Sequence, residues 1–235
     1  MVEQQRVLIT GVDTDLGAAV RDHFRAGGAS TVGVRTAGPV TTSGPDLTLA
    51  ANPADADDVR AAVAAAAEAM GGLDTLVTAH GLPHAAALTA QSMDDFWAHV
   101  EATLTGTFLF AQAAAEHMRG AGGGARMVLT TSRWHVGGPE LAAVATAAGG
   151  IVALTKSLTR DFGRFGIGVN AVAVGAVESE WAVCDVAGGS ALPPIGRRGS
   201  VTEVARTIGL LCQRRLGAAV GQVVNVDGGL SRNRV

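Results

Sequence analysis

The chain has no tyrosine and a single lysine, Lys156. No phenol can donate a proton anywhere in it, and no second ammonium is available to assist. Aromatic residues make up only 4% of 235 residues while hydrophobic residues make up 48%, so a core must be built from Ala, Val, Leu and Gly packed at close range. Cysteine is nearly absent. Cys184 and Cys212 stand in neither CxxC nor metal-ligand spacing, which excludes a cysteine metal site and suits free thiols in a reducing cytoplasm. No run of Lys or Arg occurs, and a formal net charge of −3 leaves no basic field for nucleic acid. Long hydrophobic runs are missing as well. No stretch reaches about 18 uninterrupted apolar residues, and the apolar part of MVEQQRVLIT, which also carries Glu3, is too brief for a signal or membrane segment. A cytoplasmic protein is expected, with neither nucleic acid nor membrane as a partner.

What is present alternates regularly. RVLIT (6–10), STVGV (30–34), LDTLVT (73–78), ARMVLTT (125–131), GVNAVAV (168–174) and GQVVNV (221–226) read as buried strands. Ala-rich stretches at 16–26, 54–70, 93–118, 141–164 and 201–211 read as helices, with Ser92 as an N-cap and Gly27 as a stop. Such alternation predicts an α/β, doubly wound Rossmann-type fold: one domain over residues 1–235, with a seven-stranded parallel sheet and three helices on each face.

Six motifs then follow in order: LITGVDTDLG, GGLDTLVTAHG, TLTGTFLFAQAA, MVLTTS, GIGVNAVAVGAVES and GQVVNVDGG. End to end, the chain resembles a short-chain dehydrogenase/reductase of the classical type. That resemblance implies a nicotinamide oxidoreductase, usually tetrameric, that reduces a carbonyl or oxidises an alcohol. Its small-residue helices at 93–118 and 141–164 would form the contacts between subunits.

The family's chemistry rests on a Tyr that protonates the substrate oxygen and a Lys four residues later that lowers its pKa, stacked on one helix face. In PELAAVATAAGGIVALTKSL those positions fall on Val144 and Ala148. Lys156 is twelve residues beyond Val144, roughly 18 Å along a helix, too far to serve instead. Thr131 stands at the family's serine with Ser132 beside it, and Thr103 stands at its helix Asn.

In the family's TGxxxGxG turn, backbone N–H groups and a helix N-terminus meet the pyrophosphate. Thr10, Gly11 and Gly17 are kept here, but the middle glycine is Asp15, with Asp13 two residues before it. A carboxylate about 5 Å from a phosphate would cost on the order of 3 kcal/mol at a dielectric near 20. Ala50 takes the place of the adenine-binding Asp, and Ala79 with His80 replaces the Asn of NAG, while Arg35 after the second strand would suit an NADP phosphate. On this reading no cofactor is expected, NADP binding at most weakly.

His80, Ser132, Arg133, His135 and Glu178 fall in loops after strand ends, where such sheets bind ligands. His84, Trp134, Glu140, Trp181 and Cys184 fall in the same set of loops. A His beside a carboxylate could act as a general base, and Arg133 could hold an anion. The segment from Gly175 to Ile195, broken by Gly188, Gly189, Pro193 and Pro194, reads as a short lid, with Trp181 as an anchor for a partner or a small apolar ligand. Three functions stay open. The first is a non-redox pseudo-subunit, in a homo-oligomer or paired with an intact relative. The second is a cofactor-independent lyase, isomerase or cyclase on an apolar or acyl substrate. The third is an NADP reductase with an unorthodox proton donor.

Overall fold

The computed structural model describes residues 4–36, 47–81, 83–120, 123–187 and 192–231. Its β-branched runs form β1 (Arg6–Thr10), β2 (Ser30–Arg35), β3 (Thr48–Ala50), β4 (Thr75–Thr78), β5 (Arg126–Ser132) and β6 (Gly168–Val174). Two short strands follow, β7 (Val177–Glu178) and β8 (Gly199–Ser200), and then β9 (Val223–Val226). The main sheet has seven strands in the order β3-β2-β1-β4-β5-β6-β9, and every pairing in it is parallel. This is the sheet expected from the sequence, except that its seventh strand is β3, only three residues long and too short to stand out as an apolar run.

Successive residues in a strand face opposite ways, and this divides the core. Leu8, Leu76, Met127 and Leu129 pack against α2 (Ala56–Met70), α4 (Gly106–Met118) and α5 (Ala142–Phe162). Ile9, Val77, Val128 and Val172 pack against α1 (Asp15–Ala26), α7 (Val201–Leu211) and Trp181. Trp181 leads into the six-residue α6 (Ala182–Ala187). Side chains that satisfy free backbone N–H groups mark where helices begin. Thr14 caps α1, Asp55 caps α2, Ser92 caps α3 (Met93–Val100), and Ser200 with Glu203 forms a capping box on α7.

The helical stretch expected over 93–118 is not uniform: α3 passes through a π turn at Glu101–Thr105 before continuing as α4. Such a bulge often marks a functional position in a helix, and this one buries Thr103. The segment Ala142–Phe165, which contains α5, includes an 18-residue window of mean hydropathy 1.3, long and apolar enough to span a bilayer by composition. It is a core helix nonetheless, with Ala143, Val144, Ala147, Ala148 and Ile151 buried. Gly188 and Gly189 of the expected lid lie outside the described residues.

Candidate functional site

The chain leaves the sheet in opposite directions after β1 and β4, so their C-terminal ends flank a crevice at the switch in strand order. Gly11 begins the turn there at φ +70°, and a Cβ on it would come within 2.6 Å of the Ala79 carbonyl oxygen. Gly17, in the first turn of α1, lies even closer to its neighbour: its Cβ would stand 2.0 Å from the Gly11 carbonyl oxygen. Only hydrogen at both Cα atoms lets the helix N-terminus sit on the turn. Thr14 locks the arrangement by accepting from the Gly17 N–H at 3.0 Å and donating to the Gly11 carbonyl at 2.8 Å. Asp13 and Asp15 are both exposed, and Asp13 accepts from the Thr36 N–H at 3.2 Å. Water therefore screens both carboxylates, which reduces their cost toward a phosphate from about 3 to about 1 kcal/mol. The expectation that Asp15 empties this site fails on that ground.

At the rim of the crevice, Arg35 ends β2, half-buried, and its Nε is buried with no hydrogen-bond partner among the described residues.

His80 is not a general base. It is only 3% exposed, with Nδ1 at 2.6 Å from the Thr10 hydroxyl, which also accepts from the Ala79 N–H. Burial holds the imidazole down at about 4 against an ordinary 6.5, although Asp13 pulls the other way. The ring is therefore neutral at physiological pH. The unfolded chain takes up this proton from about pH 6.5 downward and the folded chain only near 4, so the stability that His80 contributes is whole above 6.5 and lost as the pH falls to 4. Urea unfolding of the wild type should lose about 3 kcal/mol across that window, and His80→Leu should lose correspondingly less. Equal losses in both proteins would refute the assignment.

On α5, Val144 and Ala148 are 2% and 3% exposed. The Thr131 hydroxyl donates to the Ala148 carbonyl at 3.0 Å, so it is spent on the helix. Ser132 accepts from the Trp134 N–H and caps the 3-10 turn Arg133–Val136. The Thr103 hydroxyl is buried without a hydrogen-bond partner among the described residues, against the backbone of Gly81. His135 sits half-buried in the 3-10 turn, with Nδ1 at 3.0 Å from the Ser132 carbonyl. Its own carbonyl lies 3.4 Å from where a Cβ on Gly149 would be, one residue beyond Ala148.

Other residues named from the sequence are scattered. His84 and Glu178 are exposed. Trp181 is 5% exposed and belongs to the core, so it cannot anchor a partner or ligand. Cys184 packs on Leu141 and Val144. Arg133 pairs with Asp185, a residue that sequence reasoning missed, at 3.1 Å. Among the described residues no group of three His, Cys, Asp or Glu side chains could hold a metal. A groove of about 1030 Å³, lined in part by Gln4, His23, Phe24 and Gln213, opens at the other end of the sheet and is not part of this site.

The family model described as enoyl-(acyl carrier protein) reductase matches residues 16–231. The chain belongs to the short-chain dehydrogenase/reductase family. It is 31% identical over 186 residues to 3-oxoacyl-(acyl-carrier-protein) reductase FabG of Staphylococcus aureus, covering 77% of this chain and 76% of that one. With cis-4-hydroxycyclohexanecarboxylate dehydrogenase of Sinomonas cyclohexanicum it shares 31% over 239 residues, 94% of each chain. A crystal structure of 3-ketoacyl-(acyl-carrier-protein) reductase from Brucella melitensis, complexed with NADH, superposes at a TM-score of 0.86 with 24% identity, covering 97% of this chain and 99% of that one.

Two expectations are overturned by these findings. Relatives matched along most of this short-chain dehydrogenase/reductase are named as reductases and dehydrogenases, so neither a non-redox pseudo-subunit nor a cofactor-free lyase, isomerase or cyclase stands. The expected lack of a cofactor falls with them: relatives 31% identical are named as a reductase and a dehydrogenase, the Brucella structure of the same fold holds NADH, and Gly11 and Gly17 here keep the close contact between the turn and the N-terminus of α1.

Proposed function

We propose that this chain is an NADP(H)-dependent oxidoreductase that interconverts a carbonyl and an alcohol. One observation carries the reading: Gly11 and Gly17, where a Cβ would strike backbone at 2.6 and 2.0 Å, let the N-terminus of α1 sit directly on the turn after β1, and there backbone N–H groups and the helix dipole favour a pyrophosphate. Arg35 supports the phosphate-bearing coenzyme, because its buried Nε has no other hydrogen bond among the described residues. When bound, the nicotinamide supplies or accepts the hydride. The relatives' names support a small oxo or hydroxy compound as substrate, either an acyl thioester or a ring alcohol. The two free, buried thiols support a cytoplasmic setting.

The proton cannot come from the positions of the family's Tyr and Lys, because Val144 and Ala148 have none to give. In this reading His135 exchanges it. A carbonyl can only accept, so the contact with Ser132 places the proton on Nδ1 and leaves Nε2 to take or give one.

Calorimetry with NADPH and NADH tests the coenzyme. NADPH is expected to bind in the micromolar range and NADH more weakly, and Arg35→Ala should reduce NADPH affinity by about tenfold with little effect on NADH. Failure of both coenzymes to bind below millimolar concentration would sink the reading.

A further inference from the structure

Helix α6 is shut against α5. Cys184 packs with Leu141 and Val144, with Ala85 and Trp134 alongside, and this contact covers Val144, which is 2% exposed. One carboxylate fastens it. Asp185, 1% exposed, accepts from Arg133 Nε at 3.1 Å, from the Ala176 N–H at 2.7 Å and from Arg198 at 3.5 Å. Those donors come from the end of β5, the end of β6 and the approach to β8, three separate parts of the chain.

Two further features depend on this carboxylate. Arg133 reaches it by passing over Gly175, where a Cβ would stand 2.0 Å from Arg133 Cδ, and its guanidinium lies 3.9 Å over the Trp134 ring. Ala176 is held at φ +50°, a conformation costly for any residue with a side chain, which persists only where neighbours enforce it. The hydrogen bond to Asp185 is such an enforcement.

We propose that Asp185 is the latch of α6, and that its release uncovers α5 for the substrate. The proposal rests on the oxidoreductase reading for its purpose, but its test uses no coenzyme. Burial, and then the neighbouring Asp185, push the Cys184 thiol up to about 12, with Arg133 opposing. Thiolate is scarce while α6 is shut, so alkylation of Cys184 reports opening. Cys212, buried in the core on the other face of the sheet, reports global unfolding in the same sample.

With iodoacetamide under native conditions and peptide mass spectrometry, Asp185→Asn should speed alkylation of Cys184 by about tenfold or more while Cys212 is unchanged. Gly175→Ala should do the same by driving Arg133 from its path. The two variants remove opposite electrostatic effects on the thiol, so acceleration in both reports opening rather than altered thiol chemistry. An unchanged Cys184 rate, a rise matched at Cys212, or acceleration in Asp185→Asn alone would overturn the latch. Should either variant fail to fold, Arg198→Ala removes only the longest of the three contacts: a selective rise at Cys184 supports the proposal, and a wild-type rate overturns it. NADPH binding to the wild type, measured separately, shows whether the coenzyme reading has failed instead.

Discussion

Gly17→Ala is expected to lower the affinity for NADPH by about a hundredfold or more, read by calorimetry on protein shown to be folded by circular dichroism. Its Cβ would stand 2.0 Å from the Gly11 carbonyl oxygen and 2.5 Å from the carbonyl carbon. Both are backbone atoms, so no side-chain rotation relieves the contact. Either the turn or the first turn of α1 must shift, and the N–H groups that would meet the pyrophosphate shift with it. A loss of about 1 to 3 kcal/mol of stability should accompany the change. Asp15→Asn acts in the opposite direction. It removes a water-screened negative charge from the helix N-terminus without touching the Gly11 and Gly17 contact, so NADPH affinity should rise by a few fold. Wild-type affinity in Gly17→Ala would show that the coenzyme does not use this turn.

That pair of variants also shows where sequence reading succeeds and where it stops. The glycine spacing and the alternating strands were legible because they are local: a β-branched run, a capping Ser92, a stop at Gly27. The weight given to Asp15 was too large because a sequence does not tell whether a carboxylate faces water or lies against a ligand. His80 looked like a base for a related reason, since it follows a strand end. Its burial against Thr10 depends on β1 and β4 being neighbours, which they become only when the chain reverses direction in the sheet. Trp181 likewise looked like an exposed anchor and is part of the core.

Asp185 is the clearest case of a residue hidden from the sequence. Within WAVCDVA it looks like the polar side of a short helix. Its role arises from Arg133, 52 positions earlier, and from the missing side chain of Gly175, which leaves Arg133 its path. An acid amid an otherwise apolar stretch was the one available signal.

His135→Asn should lower kcat for carbonyl reduction by about 100- to 10,000-fold, the usual range for removing a general acid, with the KM for NADPH unchanged. Asparagine can still donate to the Ser132 carbonyl that His135 Nδ1 now contacts at 3.0 Å, so the turn against α5 should be retained while the exchangeable proton is lost. The pH profile separates this from a structural effect. If His135 gives the proton, wild-type reduction needs it in the protonated form and slows at higher pH, and His135→Asn loses that dependence. Oxidation of the alcohol should show the opposite dependence, because the neutral ring must then accept. A variant with full activity, or with reduced activity but the wild-type pH profile, would remove His135 from the chemistry. The proton would then have to come from another side chain or from solvent, because Val144 and Ala148 cannot supply it and the chain has no tyrosine.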